Sequence, residues 1–233
     1  MQSLVERLHK FSKKEGMVRI VKFAMAYCCG KDSALALHKM VLGGNEPVCL
    51  VVTVNKNEGR SWFHGADDAL LVKVSEALGI PLLAARCVGD EYNSAFETAL
   101  TQAGEMGAEA CVFGDIDIAG HLEWNRERCA AAGLECVMPL WGISREVAVT
   151  EMLDVGFTAR VKCVDKAWLD TSFLGETLSE ALIARIAATG ADICGENGEY
   201  HTFVSGGPIF KHPVDISVGE VLDLGTHAVI DIR

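Results

Sequence analysis

The sequence predicts an α/β fold, a parallel twisted sheet with helices on both faces, followed by a smaller C-terminal α+β lobe. Three observations carry this expectation. Short apolar runs of strand length alternate with amphipathic helical stretches through the first two-thirds of the chain. A polar, glycine-bearing loop separates the first such run from the first helix. From Ser144 the βαβ succession loosens and short strands take over.

Taken in order, residues 18–27 form an apolar, β-rich run. Residues 34–40 continue as a helix closed by Gly43 and Gly44, the residue type that most readily ends one. Residues 48–54 are apolar almost without alternation, which marks a strand buried on both faces. Residues 64–78 place Leu70, Leu71, Val74 and Leu78 at helical core spacing before Gly79. A strand at 81–87, a helix from Tyr92, a strand at 110–113, a helix over 124–132 and a strand at 134–138 follow. The second lobe reads as a helix at 146–153, a strand at 157–164, a helix at 178–188, and strands at 200–204, 214–218 and 228–232. The expected organisation is a helical extension over 1–16, a sheet domain over 17–143 and a lobe over 144–233 that closes on it. Ligands of such a sheet sit at the carboxyl ends of the strands, near a switch in strand order.

Composition narrows the classes of function. Asp plus Glu number 32 against 21 Lys plus Arg, for a formal charge of −11, and the one basic cluster is Lys10, Lys13 and Lys14. Nucleic acid is therefore disfavoured as the main partner. No stretch approaches the roughly 20 apolar residues that cross a bilayer, so no membrane partner is expected. Residues 1–16 lack the apolar core of a signal peptide and place Leu4, Leu8 and Phe11 at helical spacing, as a packed terminal helix would. Nine cysteines without C-x-x-C spacing read as reduced thiols of a cytoplasmic protein.

Three constellations carry chemistry. The first is Cys28-Cys29-Gly30-Lys31-Asp32-Ser33, at the strand-to-helix turn. Backbone N–H groups and the positive helix end make an anion site there, to which Lys31 adds a charge and Ser33 a hydroxyl. A Walker A loop is disfavoured, since it needs Gly at 25 and Ser or Thr at 32, where Met25 and Asp32 stand. The second is Gly114-Asp115-Ile116-Asp117, with the segment His121 to Arg126 and then Pro139-Leu140-Trp141-Gly142 beyond it. Carboxylates at a strand's carboxyl end suit Mg²⁺ or a ribose; the alternative is that Asp115 caps a helix and Asp117 is solvated. The third is Gly195-Glu196-Asn197-Gly198-Glu199-Tyr200-His201-Thr202. Glu196 and Glu199 bracket a turn, so both can face a cavity; a hairpin turn with solvated acids is the plain alternative.

These segments resemble a known family. Gly30, Lys31, Asp32 and Ser33 match the S-G-G-K-D-S loop of the PP-loop ATP pyrophosphatases, with Cys28 in place of the first serine and Cys29 in place of the first glycine. The G-D-I, E-x-x-R and P-L-W segments resemble the diphthine–ammonia ligase family within that group. So does the loop at 195–202, similar to G-E-G-G-E-Y-H-T with Asn197 for the first inner glycine. The resemblance runs from about residue 18 to 210. It implies a Rossmann-like PP-loop fold and an ATP-dependent ligase that adenylates a carboxylate, releases pyrophosphate and forms an amide with ammonia.

It also implies ATP and Mg²⁺ as cofactors. Around the nucleotide it sets Cys28, Cys29, Gly30, Lys31, Asp32, Ser33, His64 and Asp115, with Asp115 on the metal. Around the substrate it sets Glu123, Arg126, Glu196, Asn197, Gly198, Glu199, Tyr200 and Thr202. Lys31, Glu196, Glu199 and His201 form the implied catalytic set, the last three serving the acceptor and ammonia half-reaction, with a carboxylate to steer or deprotonate ammonium and His201 to shuttle the proton. Partners are then ATP, ammonia and a carboxylate substrate, which is elongation factor 2 where the source makes diphthamide, with a homodimer left open. Relative to eukaryotic members a C-terminal extension is lacking. Other PP-loop chemistry, such as tRNA thiolation, and a non-catalytic adenine-nucleotide binder of the universal stress type remain rivals. One departure has a physical consequence: glycine at position 29 would take φ > 0 at little cost and cysteine does not, so a tighter loop or weaker nucleotide binding is expected.

Overall fold

The computed structural model describes residues 19–62 and 64–233, so the helix expected over 1–16 lies outside the described residues. β1 (Lys22–Ala26), β2 (Glu46–Asn55), β3 (Arg60–Ser61), β4 (Leu82–Cys87), β5 (Ala110–Val112) and β6 (Glu135–Val137) form one sheet. It is parallel apart from β3, a short antiparallel addition to the end of β2. Side-chain alternation explains why the strands read as unbroken apolar runs. Phe23, Met25, Leu50, Val52 and Val112 enter one core, while Ala24, Cys49, Val51 and Cys111 enter a second. Helices α1 (Lys31–Leu42) and α2 (Asp68–Leu78) cover the first face; α3 (Tyr92–Glu105) and α4 (Ala119–Ala131) cover the other.

The chain runs outward from β1 to β2 and β4, then crosses to β5 and β6 on the far side. Direction therefore switches between β1 and β5, and the loops that follow these two strands open on one crevice. The helix expected from residue 64 begins at Asp68 instead. Gly65, at φ 58, turns the chain, and Asp67 then caps the helix by accepting from Leu70 N–H at 2.8 Å. His64 is left in the turn, free to reach the crevice.

Beyond α5 (Arg145–Asp154), β7 (Thr158–Asp165), β8 (Tyr200–Gly206), β9 (Val218–Asp223) and β10 (His227–Ile232) form an antiparallel sheet in the order β8-β7-β10-β9, with α6 (Glu180–Ala188) between β7 and β8. The strand expected at 214–218 starts only at Val218, where the ladder opposite Ile232 begins. Gly219, Glu220 and Asp223 break the apolar alternation by which that strand would have been recognised. No helix among the described residues is long and apolar enough to cross a membrane, and all nine cysteines are free thiols.

The two sheets share one core: Val161, Phe203, Val204 and Ile230 belong to the same buried cluster as Phe23, Met25, Leu35 and Leu50. Two hydrogen bonds join β8 to the turn between β1 and α1, and a third joins it to the loop after β3. Val204 N–H donates to the Cys29 carbonyl (2.9 Å), Lys31 N–H to Thr202 Oγ1 (3.0 Å), and His64 Nδ1–H to the Thr202 carbonyl (2.7 Å). The second lobe is thus a fixed wall of the β1–α1 turn. Thr202→Val keeps the side-chain volume but strands the buried Lys31 N–H, so a loss of about 1–3 kcal/mol in urea unfolding is expected. Thr202→Ser, which keeps the hydroxyl, should recover most of it; equal losses in both variants would mean the hydroxyl contributes nothing.

Candidate active site

The β1–α1 loop keeps the turn that a glycine would normally make. Cys29 sits at φ 68, the one non-glycine residue at positive φ among the described residues. That conformation costs an L-residue about 1–2 kcal/mol, and the full burial of the Cys29 side chain in the shared core holds it there. Two glycines then admit close neighbours. A Cβ on Gly30 would stand 2.5 Å from His64 Cε1, and one on Gly114 would stand 2.7 Å from the Asp32 carbonyl carbon and 2.8 Å from Ser33 N. Only glycine lets the His64 ring and the loop after β5 pack so tightly on the start of α1.

A cavity of about 390 Å³ opens at this junction, within the usual range for small-molecule sites. Its polar lining comes from Lys31, Asp32, Ser33, His64, Asp115, His121, Asn125, Glu196 and His201. Its apolar lining includes a chain of rings, Trp62, Tyr92, Trp124, Phe96 and Phe113, with successive centroids 5.2–6.2 Å apart. These rings are tilted or edge-on to one another, so they give the cavity an apolar aromatic side next to a phosphate-type loop, a pairing that suits a nucleobase and its phosphates.

Lys31 is only 5% exposed, with Nζ 2.6 Å from Asp32 Oδ2 and 5.6 Å from the Tyr200 ring centre. Burial works against its charge, but the Asp32 carboxylate, with Tyr200 and Cys194 alongside, outweighs it and raises the ammonium above the ordinary lysine value. Cys28 Sγ–H donates to Ser33 Oγ (3.4 Å), whose hydroxyl donates to the Gly30 carbonyl (3.0 Å). Burial pushes both the Cys28 and Cys29 thiols up, so neither is a ready thiolate. Burial pushes His64 down to about 4 and His201 down to about 3, the latter helped by the His64 ring 5.0 Å away. Both imidazoles are neutral near pH 7. Burial, then the charge of Asp32, pushes Glu196 up to about 7.

The two acids of the third constellation part ways. Glu196 lines the cavity, whereas Glu199 is buried at 4% exposure and lies outside the lining. Its carboxylate accepts Asn197 N–H (3.1 Å), Asn197 Nδ2–H (3.2 Å) and Asp192 N–H (3.3 Å), so it organises the turn from within. Thr202 is likewise occupied with Lys31 and His64, and the Tyr200 hydroxyl donates to the Ile193 carbonyl (2.6 Å) although Tyr200 borders the cavity. Asn197, Gly198, Glu123 and Arg126 are not among the lining residues; Glu123 and Arg126 are exposed on α4.

Asp115 accepts His121 Nδ1–H (2.8 Å) and Asn125 Nδ2–H (2.9 Å), while Asp117 is held by Arg145 outside the lining. His121 and Asn125 had no role assigned from sequence, yet their i, i+4 spacing puts both on one face of α4. Among the described residues no three His, Cys, Asp or Glu side chains converge as a metal cage. Asp32 and Asp115 nevertheless offer hard oxygens to the cavity, the donor set with which Mg²⁺ is held when phosphates supply most of its ligands.

Comparison with known proteins shows the family to which the chain belongs. The diphthamide synthase N-terminal domain matches residues 21–136 and the diphthamide synthase C-terminal domain matches residues 144–233. Diphthine--ammonia ligase of Homo sapiens is 25% identical over 219 residues, 83% of this chain and 82% of that protein. The same enzyme of Rattus norvegicus is also 25% identical, with the same coverage. A solved structure described as a predicted subunit of tRNA methyltransferase from Methanocaldococcus jannaschii covers 83% of this chain and 100% of its own, at TM-score 0.45 and 14% identity. With both domains matched in order along the chain, this protein belongs to the diphthamide synthase family.

Proposed function

We propose that the protein is an ATP-dependent amide ligase that activates a carboxylate, releases AMP and pyrophosphate, and forms an amide with ammonia. The supporting observation is a single cavity lined both by the charged Lys31 of the phosphate-type loop and by Glu196, a carboxylate poised near neutrality. The relatives named diphthine--ammonia ligase support the reaction class. In this reading ATP supplies the activation, its α-phosphorus taking the carboxylate oxygen as pyrophosphate leaves and AMP later giving way to ammonia.

The chain's own groups divide the work. Lys31 N–H is given to Thr202, so the phosphate contacts fall to the Lys31 ammonium and to the N–H groups of Asp32 and Ser33, which have no partner inside the first turn of α1. Mg²⁺ would be held by Asp32 and Asp115 together with the phosphates, neutralising charge on the leaving group. Glu196 takes a proton from ammonium, whereas His201, which lines the same cavity, is held neutral by burial and is assigned no proton in this reading. Glu199 keeps the turn in shape and does not act on substrate. We also take residues 17–143 as the ATP-binding domain and 144–233 as the substrate lobe, with the cytoplasm, where thiols stay reduced, as the compartment. The acceptor is then a diphthine-bearing protein, elongation factor 2 where the source makes diphthamide. A homodimer has one supporting feature, the exposed edge strand β9 with Val218, Val221 and Leu222 half open to solvent.

Two variants test the division. Lys31→Ala should fold yet bind Mg·ATP at least about tenfold more weakly by calorimetry, the scale of a charge-assisted contact. Unchanged affinity would remove this loop from the nucleotide site. Glu196→Gln should bind ATP within about threefold of wild type while amide formation falls about a hundredfold, the scale of a lost general base. Since the base form is the carboxylate, wild-type amidation should rise with pH through an inflection near the Glu196 value of about 7. The variant should lose that inflection; if it instead loses ATP binding, Glu196 belongs to the nucleotide half-reaction.

A further inference from the structure

We propose that Arg145 is the positioning residue that sets Glu196 in the cavity, by latching the loop at 192–199 to the loop after β5. The inference rests on the reading of Glu196 given above. Arg145 opens α5, at the seam between the two sheets. Its Nη2 donates to Asp117 Oδ1 (2.9 Å) and Oδ2 (3.1 Å), and its Nη1 pairs with Asp192 on the facing loop. The carbonyl of the same residue accepts from Cys194 Sγ–H (3.2 Å). One residue thus grips both sides of the seam, using the planar fork that a lysine lacks.

Asp192 passes the constraint to Glu196. Its carboxylate accepts Cys194 N–H (2.9 Å) and Glu196 N–H (3.4 Å), and its own N–H donates to Glu199 (3.3 Å). The Asp192 side chain is 9% exposed, and a carboxylate so buried requires a cationic partner to stay in place. None of Arg145, Asp117 and Asp192 lines the cavity, so the latch acts on ligand only through what it holds. Asp117 stands two residues beyond the cavity-lining Asp115, so the segment facing the nucleotide and the loop carrying Glu196 are tied at one point.

The charged groups that act on Glu196 come from several elements: Asp32 and Lys31 of α1, Asp115 of the loop after β5, His121 of α4 and Arg145 itself. This gives the test a sign. Removing the Arg145 charge from an unmoved loop would push Glu196 upward, because that charge favours the carboxylate. Releasing the latch lets the loop retreat into water, removes the burial that raised Glu196, and lets it fall.

The experiment titrates the Glu196 carboxyl by ¹³C NMR in protein labelled at glutamate, with Glu196→Gln to assign the resonance. Arg145→Met should lower Glu196 from about 7 by at least one unit. Asp117→Asn should lower it by less, and Arg145→Lys should recover part of the shift. A value that stays or rises in Arg145→Met overturns the latch. Should that variant fail to fold with Asp192 stranded, the double variant Arg145→Met/Asp192→Asn and the single Asp117→Asn carry the same comparison. A wild-type Glu196 that titrates as an ordinary carboxyl, or a wild type that does not bind Mg·ATP, would sink the reading of the site itself. A raised wild-type value unmoved in all the variants sinks the latch alone.

Discussion

Thr202 carries two hydrogen bonds on which the rest of the site depends, one from the N–H of Lys31 and one from the ring of His64. The first turn of any helix leaves four backbone N–H groups without partners, and here a strand of the second sheet takes one of them. Val204 adds a third bond to the Cys29 carbonyl, at the very residue held in the left-handed conformation. Separating the sheets would break these bonds and expose a continuous apolar core to water. The two lobes that wall the cavity are therefore tied together across it by these bonds.

That arrangement accounts for what could be read in the sequence. The strand–loop–helix around Lys31, the doubly buried strands and the crevice after β1 and β5 follow from local period and from the order of elements. The choice between Glu196 and Glu199 does not. Both flank one turn, and which of them faces inward is fixed by N–H groups of Asp192 and Asn197 that no spacing rule exposes. The contact between Lys31 and Thr202 joins residues 171 apart in the chain. No local pattern exposes it, because it arises where the second sheet packs against the first. Arg145 carried no motif, and its importance lies wholly in two carboxylates, Asp117 and Asp192, supplied by different lobes.

The electrostatics of the cavity fit the proposed reading, in which it takes both a polyanion and ammonia. Three carboxylates, Asp32, Asp115 and Glu196, line it against the ammonium of Lys31, within a chain of formal charge −11. Such a field draws ammonium in and repels bare triphosphate, so a divalent cation accompanying the nucleotide is an electrostatic requirement of this reading. Neutral His64 and His201 line the cavity without adding to either charge.

The most direct test of the account follows the phosphorus. Wild-type protein is supplied with Mg·ATP, ammonium and diphthine-bearing elongation factor 2, and the nucleotide products are resolved by ³¹P NMR. AMP and pyrophosphate should appear in equal amounts, with turnover dependent on ammonium. ADP and orthophosphate in their place would contradict the assignment of the β1–α1 loop to the departing pyrophosphate, and with it the proposed chemistry.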